Sequence, residues 1–157
     1  MRKTKNPFNK IRSNTILAKI LISIGEAGDL SITYVKNKDS IKKSLRKLIQ
    51  RKLVKEEKNG KLQLTDSGLV EFLKLELSQT DLLPEGKICI VVFDIPEISR
   101  SWRDILRKFL KDSCFFPLQK SVWISQFDTA DKLSKIFNLL NLKKWVKVYN
   151  ATEVGTE

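Results

Sequence analysis

The 157-residue sequence predicts an α+β fold in two parts, an N-terminal winged helix-turn-helix followed by a ferredoxin-like βαββαβ domain. A helix with one basic and one apolar face begins at Ser40, and a short hairpin with Asn59-Gly60 at its turn follows at once. Beyond Gly86 the pattern changes to strands and helices in the order β-α-β-β-α-β. The domains we expect are a basic arm at 1–12, the winged helix at 13–78, a linker at 79–86 and the ferredoxin-like domain at 87–157.

The helix predicted from Ser40 to about Lys52 separates apolar from basic side chains. Ser40 or Asp39 is its natural N-cap. At helical spacing, its apolar side consists of Ile41, Leu45, Leu48, Ile49 and, just beyond the helix, Leu53. Its other side consists of Lys43, Arg46, Lys47 and Gln50, with Lys42 at the edge. A basic helix face is often only exposed to solvent. Whether it indicates binding to DNA depends on the elements predicted next to the helix.

Two short strands after this helix form the predicted wing. Asn59-Gly60 favours a tight turn in which both positions tolerate positive φ, and Leu62 and Leu64 give one face of the hairpin an apolar character. A hairpin beside a basic helix supplies two adjacent elements for contacting DNA. We therefore expect contacts to the major groove and the DNA backbone from Lys42, Lys43, Arg46, Lys47, Gln50, Lys58 and Lys61.

The remaining elements of the first domain are less strongly patterned. Ser13 or Asn14 is expected to cap a first helix that buries apolar residues between Ile16 and Ile24 and ends near Gly25–Gly28. A short second helix is expected around residues 31–37. Thr65 or Asp66 should cap the helix that follows the wing. The arm at residues 1–12 carries five basic residues, which either touch the DNA backbone or remain solvated.

Composition restricts the classes of function. The net charge is +12, and residues 1–84 hold 18 basic and 9 acidic side chains, so the excess lies with the predicted winged helix. A positive surface attracts phosphate backbones, and acidic lipids are the weaker alternative. The chain has no histidine, which excludes Ser-His and Cys-His nucleophile pairs and histidine metal ligands. Cys89 and Cys114 are expected to be buried free thiols in a cytoplasmic protein.

The second domain is predicted from its own periodicity. Residues 87–93 are apolar at nearly every position, which is typical of a strand buried on both faces. Helices follow at about 99–112 and after Asp128 or Thr129, and further strands at 114–118, 121–126 and 145–150. Because both helices cover one face of the sheet, we expect the other face to be covered by a second copy of the chain or by the winged helix. A homodimer suits a DNA-binding protein, since two recognition helices can then read a two-fold site.

The second domain also resembles a known family. The motifs are Phe93-Asp94-Ile95-Pro96-Glu97, Arg100-Ser101-Trp102-Arg103, Leu106-Arg107 and the run from Leu118 to Trp123. Over residues 87–150 they resemble the middle domain of PaaX-type transcriptional repressors, which is similar to the small CRISPR-associated endonuclease of the adaptation complex. The resemblance implies a winged helix in front of this domain, as the first half of the sequence predicts. PaaX-type repressors also carry a further C-terminal domain, which the sequence to Glu157 does not include.

Asp94 carries the alternative interpretation. In the CRISPR-associated family the aspartate at the matching position is taken to bind a divalent metal across the dimer, so the resemblance implies a Mg²⁺ ligand and a catalytic role. Against this, Asp94 could bond its own turn or pair with Arg100, Arg103 or Arg107. Ser121 also belongs to the matched motif, but a hydroxyl in a strand more often completes a local hydrogen bond. Core packing is the ordinary role for Trp102, Trp123 and Trp145, and stacking on bases is the alternative.

These observations lead to a dimeric DNA-binding transcriptional regulator, a repressor, as the preferred hypothesis, with no cofactor and an unspecified small-molecule effector. The alternative is a Mg-dependent nuclease or a CRISPR adaptation component that uses Asp94. A third interpretation is an interaction module whose winged helix contacts proteins, which the basic excess of the first half does not favour.

Overall fold

The computed structural model describes residues 14–31, 39–152 and 154–155. The arm predicted at 1–12 and residues 32–37 of the predicted second helix lie outside the described residues. The chain divides into two units, with the boundary between Glu76 and Leu77. The elements up to that boundary are α1 (Ile16–Ala27), β1 (Leu30–Ser31), α2 (Asp39–Gln50), β2 (Val54–Glu56), β3 (Lys61–Leu64) and α3 (Asp66–Leu77).

The core of the N-terminal unit is built from the apolar faces of its helices. It contains Ala18, Ile20, Leu21 and Ile24 of α1, Leu45 and Leu48 of α2, and Leu53, Val54, Leu62 and Leu75. The prediction that Ile49 is buried is wrong, because Ile49 lies at the margin of the apolar stripe and is 38% exposed. Ser44 occupies the buried position instead, one turn before Leu48. Thr15 caps α1 through its hydroxyl oxygen, in place of the predicted Ser13 or Asn14.

The predicted hairpin is present, but its turn differs from the expected type. β2 pairs with β3, and Val54 lies opposite Leu64. The Gly60 N–H donates to the Glu57 carbonyl, and the Glu57 N–H donates to the Lys61 carbonyl. Of the two expected turn positions only Gly60 has a positive φ, of 74°, so the loop is a three-residue connection with a bulge at Gly60. β1 pairs with β3 on the other side and completes a three-stranded sheet that the sequence pattern did not predict.

The start of α3 is locked onto the segment between α2 and the hairpin. The Thr65 hydroxyl donates to the Lys52 carbonyl at 2.6 Å, and its oxygen accepts a bond from the Gly68 N–H at 3.1 Å, which is the predicted cap. The Thr65 N–H donates to the Leu53 carbonyl at 3.1 Å. A Cβ atom at Gly68 would lie 1.9 Å from that same carbonyl oxygen. Glycine is therefore required at this position, where two backbone segments make contact.

The C-terminal unit contains β4 (Lys87–Phe93), a short 3₁₀ turn (Glu97–Ser99), α4 (Arg100–Asp112), β5 (Phe116–Gln119), β6 (Val122–Ser125), α5 (Ala130–Leu139) and β7 (Val146–Thr152). The strand order is β5-β6-β4-β7, and every neighbouring pair is antiparallel. The two outer strands are therefore the second and the last of the unit, while the first and third lie in the middle. This is the ferredoxin-like arrangement predicted from the order of elements.

The two central strands bury one face of the sheet more completely than the other. On β4 the side chains of Cys89, Val91 and Phe93 are buried, whereas the alternate residues Ile88, Ile90 and Val92 are half-buried. The prediction of a strand buried on both faces is therefore corrected. Side chains of the helices complete the core, including Leu106, Phe109 and Leu110 of α4 and Leu133, Ile136 and Phe137 of α5. Phe109 and Phe137 meet edge to face with ring centroids 6.4 Å apart.

Three helices end in the same backbone motif without glycine. After α2, Lys52 has a φ of 57°, its N–H donates to the Ile49 carbonyl, and the Leu53 N–H donates to the Leu48 carbonyl. These are the paired bonds of a Schellman motif. Cys114 after α4 and Asn141 after α5 have the same left-handed conformation as Lys52, and the equivalent pair of backbone bonds forms at each. In each case the next residue is buried, which anchors the chain where it leaves the helix, and those residues are Leu53, Phe115 and Leu142.

We expect Gly68→Ala to destabilise the N-terminal unit by about 3 kcal/mol or more, because the added methyl overlaps the Leu53 carbonyl and the backbones must separate. All three tryptophans lie in the C-terminal unit. In a urea titration of Gly68→Ala, far-UV circular dichroism should therefore show the N-terminal unit unfolding at a lower urea concentration than in the parent protein. Tryptophan fluorescence, which reports on the C-terminal unit, should not show this early transition. Ser67→Ala introduces the same side chain at the exposed neighbouring position and serves as the control. Equal stabilities of the two variants would contradict the close approach.

We expect Lys52→Gly to raise the free energy of unfolding of the N-terminal unit by about 0.5–1 kcal/mol, because glycine adopts the left-handed conformation without the Cβ penalty. Asn141→Gly, at the equivalent position after α5, should raise the free energy of unfolding by less, since asparagine already tolerates the left-handed conformation. Urea unfolding of the two variants measures both effects. Destabilisation by Lys52→Gly would show that the lysine side chain contributes more than its backbone strain costs.

Candidate nucleic-acid interface

The outward face of α2 is basic and almost free of internal partners. Lys42, Lys43, Arg46, Lys47 and Gln50 are all exposed. Lys42 lies 3.6 Å from the Asp39 carboxylate, one turn earlier on the same helix. In the described part of the chain, Lys43, Arg46 and Lys47 form no ion pair. Since surface pairs of the Lys42 type contribute little, the whole face is available to an anionic partner.

The hairpin brings its two predicted lysines into different environments. Lys58 is exposed in the turn and forms no ion pair with the residues that the structure describes. The Lys61 ammonium instead lies 2.7 Å from the Asp29 carboxylate, at the end of α1. Both side chains of that pair remain about half exposed, so solvent screens it and a phosphate can compete for the lysine. Lys55 is similarly paired with Glu57, at 2.6 Å.

Two further basic residues extend this face, and the sequence analysis did not include them. Arg51 and Lys52 are exposed in the segment that joins α2 to the hairpin. The left-handed conformation of Lys52 turns the chain there, so the helix and the hairpin meet at these two residues. The uninterrupted run of basic residues at 51–52 was the available signal. It was missed because Lys52 was assigned to the last turn of the helix.

Asp94 follows β4 and forms no ion pair with the residues that the structure describes. Its side chain is exposed, and its backbone N–H donates to the Trp145 carbonyl at 2.9 Å. Two of the three arginines considered as its partners are engaged elsewhere, because Arg103 pairs with Glu97 and Arg107 lies 3.6 Å from Asp104. No group of three acidic, cysteine or histidine side chains is placed to hold a metal ion within the described residues.

The cysteines and tryptophans all lie in the C-terminal unit. Cys89 is buried, and burial raises the pKa of its thiol, with a smaller raising effect from the Asp128 charge and an opposing hydrogen bond from Thr129. The prediction that Cys114 is buried is wrong: it occupies the exposed end of α4, and the following Phe115 is buried in its place. Trp123 is buried, and Trp102 and Trp145 are half-buried, which agrees with a packing role. The Ser121 carbonyl accepts a bond from the Phe93 N–H.

The comparison with protein families gave one match in the C-terminal unit. Residues 84–157 match the family described as the PaaX protein central Cas2-like domain. This part of the chain is similar to PaaX. The resemblance noted from the motifs around Asp94 and Ser121 is thereby confirmed, and the matched range includes all four strands of the ferredoxin-like sheet. Comparisons with curated proteins and with solved structures produced no match.

Among the described helices, none combines the length and the apolar character needed to cross a bilayer. The helix α1 is 12 residues long, and its apolar side packs into the core of its own unit.

Proposed function

We propose that this protein is a PaaX-type transcriptional regulator, a repressor, that binds double-stranded DNA as a homodimer. The single observation that carries the proposal is the exposed basic face of α2, where Lys43, Arg46 and Lys47 form no ion pair with the described residues, in a chain whose C-terminal unit is similar to the PaaX central domain. In this proposal the N-terminal unit is a winged helix, α2 is the recognition helix and the β2–β3 hairpin is the wing.

The packing of α2 supports this role. Leu45 and Leu48 anchor one side of the helix in the core, so the opposite side faces outward along its whole length. Twelve residues give a helix about 18 Å long, enough to lie in a major groove. Arg46 and Gln50 are residue types that form paired hydrogen bonds with guanine and adenine edges, respectively. Lysines 42, 43 and 47 suit phosphate contacts.

The hairpin extends the same surface. The bonds of Thr65 to Lys52 and Leu53 hold the hairpin directly beside the end of α2. Lys58 lies in its exposed turn and is free to reach the backbone flanking the groove. Lys61 joins this contact once a phosphate displaces Asp29. The resulting surface is mainly electrostatic, so its affinity for DNA falls with rising salt.

The outer face of the sheet supports the dimer. The registers of the four strands place Phe116, Ile124, Ile90 and Tyr149 in one row across this face. Phe116 and Tyr149, at its two ends, are 70% and 52% exposed. A continuous apolar row on a half-buried sheet is suited to packing against an identical row, and a two-fold pairing holds two α2 helices for a two-fold DNA site.

Replacing Lys43 and Arg46 together with glutamine should weaken binding to duplex DNA at least tenfold and lower the slope of log K against log salt by about 2, because each cation releases about one counterion. Fluorescence anisotropy with labelled duplex, at several salt concentrations, measures both quantities. The matched control is Lys108→Gln with Lys111→Gln. This pair is also exposed, has the same spacing on α4 and removes the same charge.

Equal losses in these two double variants would mean that DNA responds only to net charge, and would overturn the assignment of α2. Circular dichroism of both variants should match the parent, since all four side chains are exposed.

Phe116→Glu combined with Tyr149→Glu should convert the proposed dimer to a monomer, because it buries four carboxylates in an apolar interface. Sedimentation equilibrium measures the mass directly. Ile98→Glu is the control, since Ile98 is apolar and 97% exposed but lies on the 3₁₀ turn, away from the sheet. A monomeric parent protein, or a dimer that survives the double substitution, would contradict the proposed interface.

A further inference from the structure

A cationic cleft lies in the C-terminal unit, between the first half of α4 and the turn joining β5 to β6. Its volume is about 720 Å³. The charged side chains that line it are Arg100, Arg103, Arg107 and Lys120, with Glu97 and Asp104 as the acids. Four cations against two carboxylates leave the cleft positively charged. None of these residues belongs to the proposed DNA-binding surface.

Two buried hydrogen-bond donors on residues that line this cleft have no partner within the part of the chain that the structure describes. Trp123 is only 7% exposed, and its indole N–H forms no hydrogen bond within the described chain. The Nε–H of Arg103 is likewise buried and unpaired among those residues. Buried polar groups in folded proteins are nearly always hydrogen-bonded, because leaving a donor unpaired is costly. Two such donors on residues that line one cleft indicate an acceptor that is supplied by a ligand.

Two of the three arginines are already held in place. Arg103 is paired with Glu97 through a terminal nitrogen, so its Nε–H takes no part in that pair. Arg107 donates from Nε to the Lys120 carbonyl at 3.3 Å, and its guanidinium lies 5.9 Å from the centre of the Phe93 ring. Arg100 and Lys120 form no ion pair among the described residues, so their charges are free. A ligand therefore meets a partly ordered site and loses little entropy in arranging it.

We propose that this cleft binds the oxyanion of a small molecule, a carboxylate or a phosphate. The Trp123 indole and the Arg103 Nε–H donate to its oxygens, and Arg100 and Lys120 neutralise its charge. Both oxyanions offer several strong acceptors in the geometry that guanidinium groups recognise. Pro117 and Leu118 supply apolar surface at one side of the cleft for the remainder of the molecule. A duplex backbone suits this site poorly, because the two carboxylates that line the same cleft repel a continuous row of phosphates.

The indole N–H signals of the three tryptophans give a direct test by ¹H–¹⁵N NMR of the full chain. Inorganic phosphate and acetate are added separately at constant ionic strength, with chloride as the reference salt. We expect one indole signal, assigned to Trp123 by its loss in Trp123→Phe, to shift and saturate with at least one of the two anions. Whichever anion saturates it identifies the oxyanion. No saturable shift with either anion, or equal shifts of all three signals, would overturn the proposal.

Arg100→Gln combined with Lys120→Gln should weaken this binding on the order of tenfold, because it removes the two free cations. Lys108→Gln with Lys111→Gln removes the same charge from the same unit without touching the cleft, and should leave the affinity unchanged. If both double variants weakened anion binding equally, the binding would reflect only the net positive charge of the protein, and the proposal would be contradicted.

The same NMR titration is finally repeated with duplex DNA. If DNA shifts the Trp123 signal and competes with the anion, the cleft is a nucleic-acid contact and the proposal is wrong. The anion titration needs no DNA, so its outcome is independent of whether α2 is the recognition helix.

Discussion

The contact between Gly68 and the Leu53 carbonyl is the constraint on which the N-terminal unit depends. It allows the first turn of α3 to lie directly on the backbone that joins α2 to the β2–β3 hairpin. Thr65 reinforces the junction with bonds to the Lys52 and Leu53 carbonyls. The basic helix and the hairpin are therefore held at a defined angle by backbone contacts. A surface that contacts DNA at two places needs this rigidity, because each ordered contact otherwise costs conformational entropy.

The two units arrange polarity in different ways. In the N-terminal unit a single helix divides apolar from basic side chains, so α2 is both part of the core and the candidate DNA-binding surface. In the C-terminal unit the sheet divides its faces instead: one carries the core, and the other carries the row from Phe116 to Tyr149. The cationic cleft lies at the margin of that core, where Trp123 is buried but its N–H is unpaired. In the proposals made above, DNA would bind the basic face of α2, a second copy of the chain would bind the outer face of the sheet, and a small anion would bind the cationic cleft.

Several local features could be predicted from the sequence because they depend on near neighbours. The amphipathic spacing placed α2 correctly, and the Asn59-Gly60 pair located the hairpin. Its turn type was wrong, because the backbone bonds between Glu57 and Lys61 favour a bulged loop in which only Gly60 is left-handed. The short strand β1 has almost no pattern of its own and exists through its pairing with β3. Exposure at the ends of helices was also missed, as with Ile49 and Cys114.

By itself, the sequence determined the order of the elements, the basic face of α2, the segregation of positive charge and the PaaX-like motifs of the second unit. These follow from periodicity and composition, which act over a few residues. Only the tertiary structure decided that Lys61 meets Asp29, that Asp94 stands apart from its neighbouring arginines, and that Arg103 and Trp123 leave donors unpaired in one cleft. Those outcomes depend on contacts between side chains that are distant in the sequence. A hydrogen bond needs an acceptor within about 3 Å of the donor, and a local sequence pattern does not predict which groups approach that closely after folding.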